Sequence, residues 1–272
     1  MSKIDLHTHS TSSDGTATPT EVVARAEKAG VTLLALSDHD SVSGLPEAWA
    51  AARGLKLRFC CGVEINTCCG ENVHILGYGI RWTDPALQAR LAEFRERRIR
   101  RVQMILSALA GLGVELSLEE VQGVSTESLG RAHVADALRR KGVVPNRAEA
   151  FRRFLGQGKP AYVASLGPPP EEAIALIRAA GGFAVVAHPG TLPDPGLIPE
   201  WMKSGLEGIE AHYSTHSPSD VIRFQGLADR LGLVVTGGSD YHGPRSGRDG
   251  PIGVTVPDEV DELFLERLSK CG

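Results

Sequence analysis

The sequence predicts an α/β barrel of about seven strands with interleaved helices, interrupted by a helical insertion. Three observations carry this expectation. Short apolar runs alternate with amphipathic stretches over residues 1–81 and again over 161–272. Between residues 82 and 160 no β-rich run occurs. Four clusters of histidines and carboxylates directly follow predicted strands, where the carboxyl ends of barrel strands would gather them.

Taken in order, Ile4 to Thr8 reads as a short strand, and Thr18-Pro19-Thr20-Glu21 as an N-cap with proline at the first helical position, opening a helix to Gly30. Val31 to Leu36 is an uninterrupted apolar run, as in a buried parallel strand. A helix from Leu45 to Arg53 and a strand from Leu57 to Ile65 follow, then a strand from Val73 to Ile80 as the second arm of a hairpin around Gly70. Asp84-Pro85 opens a long helix to Leu112 with Leu87, Leu91, Phe94, Val102, Ile105 and Leu109 on one stripe. Shorter helical patterns cover 118–121, 132–141 and 147–155. After Gly167-Pro168-Pro169-Pro170 come a helix (171–180), strands at 183–187 and 208–211, a helix (219–231), a strand (234–237) and a last helix (260–269).

A length of 272 residues and an apolar fraction of 42% fit one large globular domain, or one domain with an insertion. The net charge of −4 hides an asymmetry: residues 81–160 carry 15 Lys/Arg against 9 Asp/Glu, and the remainder 14 against 24. An acidic body suits stored cations, and a basic segment suits an anionic substrate. Met1 to Asp5 runs straight into the first strand, so no signal peptide is expected. Runs such as Phe183–Ala187 are far shorter than the ~20 residues that span a bilayer. The five cysteines form the doublets Cys60-Cys61 and Cys68-Cys69 plus Cys271, without CxxC spacing, which reads as reduced thiols of a cytoplasmic protein. Aromatics at 5% argue against a platform stacking several bases.

Residues two apart on a strand share a face, so His7 and His9 point the same way. His39, Glu64, His188, Asp240 and His242 follow or end other strands, so their side chains should converge on a site for divalent metals. Asp5, Asp38 and Asp40 flank these residues and read equally as groups orienting imidazoles or as turn and cap aspartates.

The motifs Asp5-Leu6-His7-Thr8-His9-Ser10, Ser37-Asp38-His39-Asp40, Gly62-Val63-Glu64, His74-Ile75-Leu76-Gly77, Ala187-His188-Pro189 and Gly238-Ser239-Asp240-Tyr241-His242 resemble the PHP (polymerase and histidinol phosphatase) family over nearly the whole chain. The resemblance implies a distorted (β/α)7 TIM-like barrel, residues 1–81 and 161–272, with the insertion 82–160 over the active site. It implies two or three divalent ions. His7, His9, Glu64 and Asp240 would hold the first, Asp14, His39 and His242 the second, and Glu64, His74 and His188 the third. Many members have histidine where this chain has Asp14, which favours a harder ion there. Manganese is the favoured metal, with iron and zinc as alternatives.

Within the insertion, Gly130-Arg131-Ala132-His133-Val134-Ala135 and Gly158-Lys159-Pro160-Ala161-Tyr162-Val163 resemble the branch containing ribonuclease AM and the nucleoside 3′,5′-bisphosphate phosphatases. That resemblance implies a metal-dependent phosphoesterase releasing the 3′-phosphate of such bisphosphates, with 5′→3′ trimming of short 5′-phosphorylated RNA at the same site. Arg131, His133, Lys159 and His216 are the candidates for binding substrate, and Arg131 and His216 for catalysis. Histidinol-phosphate phosphatase and a non-catalytic metal-binding module stand as alternatives. The run Arg95-Glu96-Arg97-Arg98-Ile99-Arg100-Arg101 reads as a solvated helix face.

Overall fold

In the computed structural model, which describes residues 1–68, 70, 72–122, 127–244, 246 and 250–271, the chain opens with β1 (Ser2–Asp5), α1 (Pro19–Lys28), β2 (Leu33–Leu36), α2 (Leu45–Ala52) and β3 (Arg58–Asn66). α1 starts where Thr18 and Glu21 form a reciprocal capping box with Pro19 in the first turn, and buries Val22, Val23 and Ala26. β1, β2 and β3 pair in parallel, and every residue of β2 is buried, as its apolar run requires. β4 (His74–Tyr78) returns antiparallel to β3. The seven residues 67–73 suffice for a hairpin, whereas a parallel crossover needs a dozen or more. Gly70 takes φ 140° in this turn.

The 82–160 segment forms α3 (Pro85–Ala110), α4 (Leu118–Gln122), α5 (Arg131–Arg140), α6 (Arg147–Ala150) and a π-helical turn (Phe151–Leu155). Asp84 caps α3 by accepting from the N–H groups of Ala86 and Leu87. α3 serves two cores. Leu87, Leu91 and Phe94 join the cluster between barrel strands and outer helices, whereas Val102, Ile105 and Leu109 join a separate cluster with Leu129, Val134 and Leu138. The helical pattern at 147–155 is one α-turn continued by the π-turn, which turns Phe151 toward the barrel mouth.

α7 (Pro170–Ala179), β5 (Phe183–Val186), α8 (Ile198–Met202), β6 (Leu206–Tyr213), α9 (Pro218–Leu231), β7 (Val234–Gly238), β8 (Val254–Val256) and α10 (Asp258–Leu268) complete the fold. β5 pairs antiparallel to β4, and β6 and β7 follow in parallel. The sheet order is β7-β6-β5-β4-β3-β2-β1-β8. The sheet closes on itself beyond β1, where Leu6 N–H donates to Gly237 O (3.0 Å) and Thr8 bridges Tyr241 in parallel. β8 and α8 go beyond the expected elements. β8 is three residues of Val-Thr-Val paired antiparallel to β1, so it exists only through a partner 250 residues away. Tyr78, Phe183 and Phe264 pack in tilted and edge-to-face contact in the barrel interior with ring centroids 5.2–5.6 Å apart, leaving the opposite, carboxyl end of the strands open. Cys60, Cys61 and Cys271 are free thiols, and Cys69 lies outside the described residues.

Asp5 holds the closure together. Its buried carboxylate accepts from the backbone N–H groups of His7 (3.3 Å), Ser239 (2.9 Å) and Gly253 (2.7 Å) and from Ser239 Oγ (2.5 Å). Burial pushes its pKa up to about 6 against the pull of these donors. Asp5→Ala would strand several buried donors at the junction of β1, β7 and β8. A loss of about 3 kcal/mol in denaturant unfolding of the metal-free protein is expected; a change under about 1 kcal/mol would remove Asp5 from this role.

Candidate metal centre

The open end of the barrel gathers six imidazoles and three carboxylates. His7 and His9 lie two and four residues past β1, His39 bridges to Glu64 within β3, and His188 follows β5. Asp240 and His242 follow β7. His74 is the first residue of β4 rather than its last, because an inverted strand presents its start to the mouth. The four non-glycine residues with positive φ among the described residues, Asp40, Asn72, His188 and Asp240, all sit here. Left-handed backbone at such residues costs about 1–3 kcal/mol each and persists only where surroundings impose it.

Glu64 is the hub. Its Oε1 lies 2.8 Å from His74 Nδ1, 3.3 Å from His7 Nε2 and 3.4 Å from His188 Nε2. Its Oε2 lies 2.7 Å from His39 Nδ1 and 3.3 Å from His9 Nε2. Asp240 Oδ1 is 3.2 Å from His9 Nε2 and 3.3 Å from His242 Nδ1. Asp14 Oδ1 is 3.1 Å from His242 Nε2 and 3.8 Å from His39 Nε2. Potential ligand atoms fall within 4.8 Å of one another in three sets: His7, His9 and Asp240; His9, Asp14, His39 and His242; and His39, Glu64 and His74. His9 and His39 therefore each stand at a boundary between two sets.

The chemistry of these atoms fits divalent cations. His7 Nε2, His9 Nε2 and Asp14 Oδ1 are buried and make no hydrogen bond of good geometry among the described residues, although other donor-set atoms lie 3.1–3.8 Å away. Two ligands each about 2.1 Å from one ion sit roughly 3.0–3.5 Å apart, so this spacing is that of atoms sharing a cation. Burial works against the charge of Glu64, but His39, His7 and His74 hold its carboxyl well below the usual range. Asp14 is likewise lowered against its burial by His242 and His39. Burial lowers His39 to about 3, leaving it neutral and able to ligate. His7 is raised despite its burial, because Glu210, Glu64 and Asp240 surround it with negative charge, the same field that attracts a cation.

Several groups orient these imidazoles. Glu210 is fully buried and sits 3.0 Å from His7 Nδ1, and it also accepts from His188 N–H (2.7 Å). Thr191 Oγ1 meets His188 Nδ1 (2.9 Å), Asn66 Nδ2 meets His39 Nδ1 (3.0 Å), and Tyr213 Oη donates to Asp240 Oδ2 (2.9 Å). None of these four carries a metal-ligand motif in the sequence. Glu210 had a signal: an acid inside the apolar strand Gly208-Ile209-Glu210-Ala211 needs a buried partner. Asp5, Asp38 and Asp40 hold backbone, hydroxyl and guanidinium groups rather than imidazoles. Asp38 accepts from Ser10 and Ser13, and Asp40 from Asn66 N–H and Arg98.

A cavity of about 410 Å³ opens from this centre, with Asp14, His39, His74 and His242 on the barrel side. Arg98, Arg101, Arg131 and Arg147 line its insertion side. Arg131 packs over the rings of Phe151 (5.5 Å) and Tyr162 (6.0 Å). Arg147 is gripped by Asp136 (2.9 and 2.5 Å) and Arg98 by Asp40 (3.1 Å) and Leu129 O (2.7 Å). The arginine run is thus only partly a solvated face: Arg95, Arg98 and Arg101, three apart, turn inward to the barrel and its cavity. Lys159 is exposed and does not line the cavity. His216 is also absent from the lining, because its ring accepts Gly190 N–H (3.1 Å) and meets Ala211 O (2.9 Å) while packing on Phe224. His133 is buried beside the cavity with both ring nitrogens engaged. A cavity of about 470 Å³ on the outer face, bordered by Lys3, Arg25 and Lys28, contains none of the potential ligands.

A PHP domain family model matches residues 5–121. The chain is similar to a 3′,5′-nucleoside bisphosphate phosphatase of Chromobacterium violaceum, at 40% identity over 92% of this chain and 90% of that one. It is 36% identical to a 5′-3′ exoribonuclease of Haemophilus influenzae, over 89% and 90% of the two chains. Among solved structures, a Bifidobacterium adolescentis protein assigned as a metal-dependent phosphoesterase superposes with a TM-score of 0.88 at 31% identity, covering 98% of this chain and 96% of its own.

Glu210→Ala leaves the potential ligands in place but frees His7 to rotate. Metal affinity measured by calorimetric titration is expected to fall about 10–100-fold, with secondary structure by circular dichroism retained. Unchanged affinity would show that Glu210 does not orient the centre.

Proposed function

The chain belongs to the PHP family, and from that membership we propose that it is a metal-dependent phosphoesterase acting on nucleoside 3′,5′-bisphosphates. It releases the 3′-phosphate to leave a 5′-nucleotide, and it trims short 5′-phosphorylated RNA from the 5′ end at the same site. The observation that carries this reading is a cavity with the potential ligands Asp14, His39, His74 and His242 on one wall and four guanidinium groups on the other. A substrate with two phosphates fits such a cleft, one toward the ligand cluster and one toward the arginines. A histidinol phosphate has a single phosphate and a cationic amine, which the arginine wall disfavours.

His7, His9, Glu64 and Asp240 would hold one ion, Asp14, His39 and His242 a second, and Glu64, His74 and His188 a third. Manganese is the proposed metal, since mixed imidazole and carboxylate donors suit it. Divalent ions bound there supply Lewis acidity toward a phosphoryl oxygen and a nucleophile at neutral pH. The chain's own residues do the rest. Glu210 keeps His7 aimed, and Tyr213 keeps Asp240 aimed. Arg131 faces the cavity and neutralises charge on the phosphoryl oxygens. Arg98 and Arg147 meet the substrate already fixed by Asp40 and Asp136, so little conformational entropy is lost on binding. Phe151 gives one base an apolar surface in the same cavity. Among the described residues no helix is long and apolar enough to cross a membrane; the enzyme is proposed to work in the cytoplasm on diffusible nucleotides.

Phosphate release with manganese should be fastest for adenosine 3′,5′-bisphosphate, detectable for a 5′-phosphorylated RNA trimer, and slow for histidinol phosphate. A large margin in favour of histidinol phosphate would overturn the substrate assignment. Arg131→Ala should lower kcat/KM by about 10–100-fold with bound metal unchanged, as expected for losing a charge-assisted contact.

A further inference from the structure

His133 links two parts of the site that come from opposite halves of the fold. Its Nδ1 accepts Gly130 N–H at 3.0 Å, so the ring proton resides on Nε2, which donates to the carbonyl oxygen of Ser13 at 3.2 Å. Ser13 immediately precedes Asp14, and Gly130 immediately precedes Arg131. Both linked residues are buried, His133 at 7% exposure and Ser13 at 0%, so water does not readily substitute for the bond.

The Ser13 segment has little freedom to absorb a shift. Ser13 Oγ donates to Asp38 (2.5 Å), and the N–H groups of Ser13 and Gly15 both donate to Ser10 O (3.0 Å). A Cβ at Gly15 would lie 2.6 Å from His9 O, so the loop is pressed directly onto another potential ligand residue. Displacement of the Ser13 carbonyl is therefore transmitted to Asp14 rather than lost in the loop.

We infer that His133 is a positioning residue through which the helical insertion sets the Asp14 metal ligand. The cation position at Asp14, His39 and His242 is thereby built jointly by the barrel and by the helix whose first residue, Arg131, lines the substrate cavity. This rests on the metal-dependent phosphoesterase reading above.

Two substitutions separate the two bonds of the imidazole. His133→Asn keeps an acceptor at the Nδ1 position for Gly130 N–H but cannot reach Ser13. His133→Gln carries an amide N–H at the Nε2 position and keeps the Ser13 bond. Metal-free wild type and variants are titrated with Mn²⁺ by calorimetry, with no turnover required. The Asn variant is expected to bind one Mn²⁺ at least about 10-fold more weakly while the remaining binding is unchanged. The Gln variant is expected to stay within about threefold of wild type at every step. Wild-type Mn²⁺ binding by the Asn variant, or equal weakening by a folded Gln variant, overturns the role of His133. If the Asn variant does not fold, His133→Ala, which lacks both bonds, takes its place: wild-type Mn²⁺ binding by the Ala variant overturns the role of His133, and weakening of one step that the Gln variant restores supports it. Absence of any divalent-metal binding by the wild type would instead overturn the metal-centre reading itself.

Discussion

A buried carboxylate needs partners that offset its lost hydration, and Glu64 has five imidazoles 2.7–3.4 Å from its oxygens. Desolvation alone would neutralise it; the surrounding rings keep it ionised. His7, His9, His39, His74 and His188 reach it from four different strands or strand ends. The barrel mouth is thus arranged around one acid, and each strand contributes a group whose position matters relative to Glu64.

The barrel's departures from a regular parallel form serve this convergence. The short 67–73 connection inverts β4, which brings His74 to the mouth by its strand's beginning. Left-handed backbone at His188 and Asp240 turns the chain at the ends of β5 and β7, at a conformational cost that surrounding packing must sustain. Gly238 shows how tight that packing is: a Cβ there would lie 2.3 Å from His7 Cβ and 2.6 Å from Glu210 Oε1. At the other end, Tyr78, Phe183 and Phe264 pack ring against ring and fill the interior, so the polar cluster opens toward the carboxyl ends of the strands.

That opening is shaped by the insertion. α3 binds the insertion to the barrel by sharing its residues between two hydrophobic clusters, while Arg95 and Arg98 bond to Asp40 beside His39. The excess of basic residues between 81 and 160 takes on structural meaning here. Part of it faces the cavity with fixed geometry, and part, such as Lys159 and Arg152, remains on the solvent side.

Strand–helix alternation, the hairpin at Gly70, the helical insertion and the convergence of His7, His9, His39, Glu64, His188, Asp240 and His242 were legible in the sequence pattern, whereas Asp14 and His74 entered the ligand set through the family resemblance. Period-two and strand-end patterns are local, and metal-binding residue types are few. Tertiary structure alone decided β8, whose three residues have no stability apart from β1. It also decided that Glu210 rather than Asp5, Asp38 or Asp40 orients His7, because hydrogen-bond partners 203 residues apart leave no local pattern. The same holds for the fate of the candidate substrate groups. Arg131 reaches the cavity, whereas the ring of His216 is engaged by Gly190 and Ala211 and Lys159 lies in solvent. Charge and residue type identify which groups have the required chemistry, but only packing between distant segments selects which of them face the substrate.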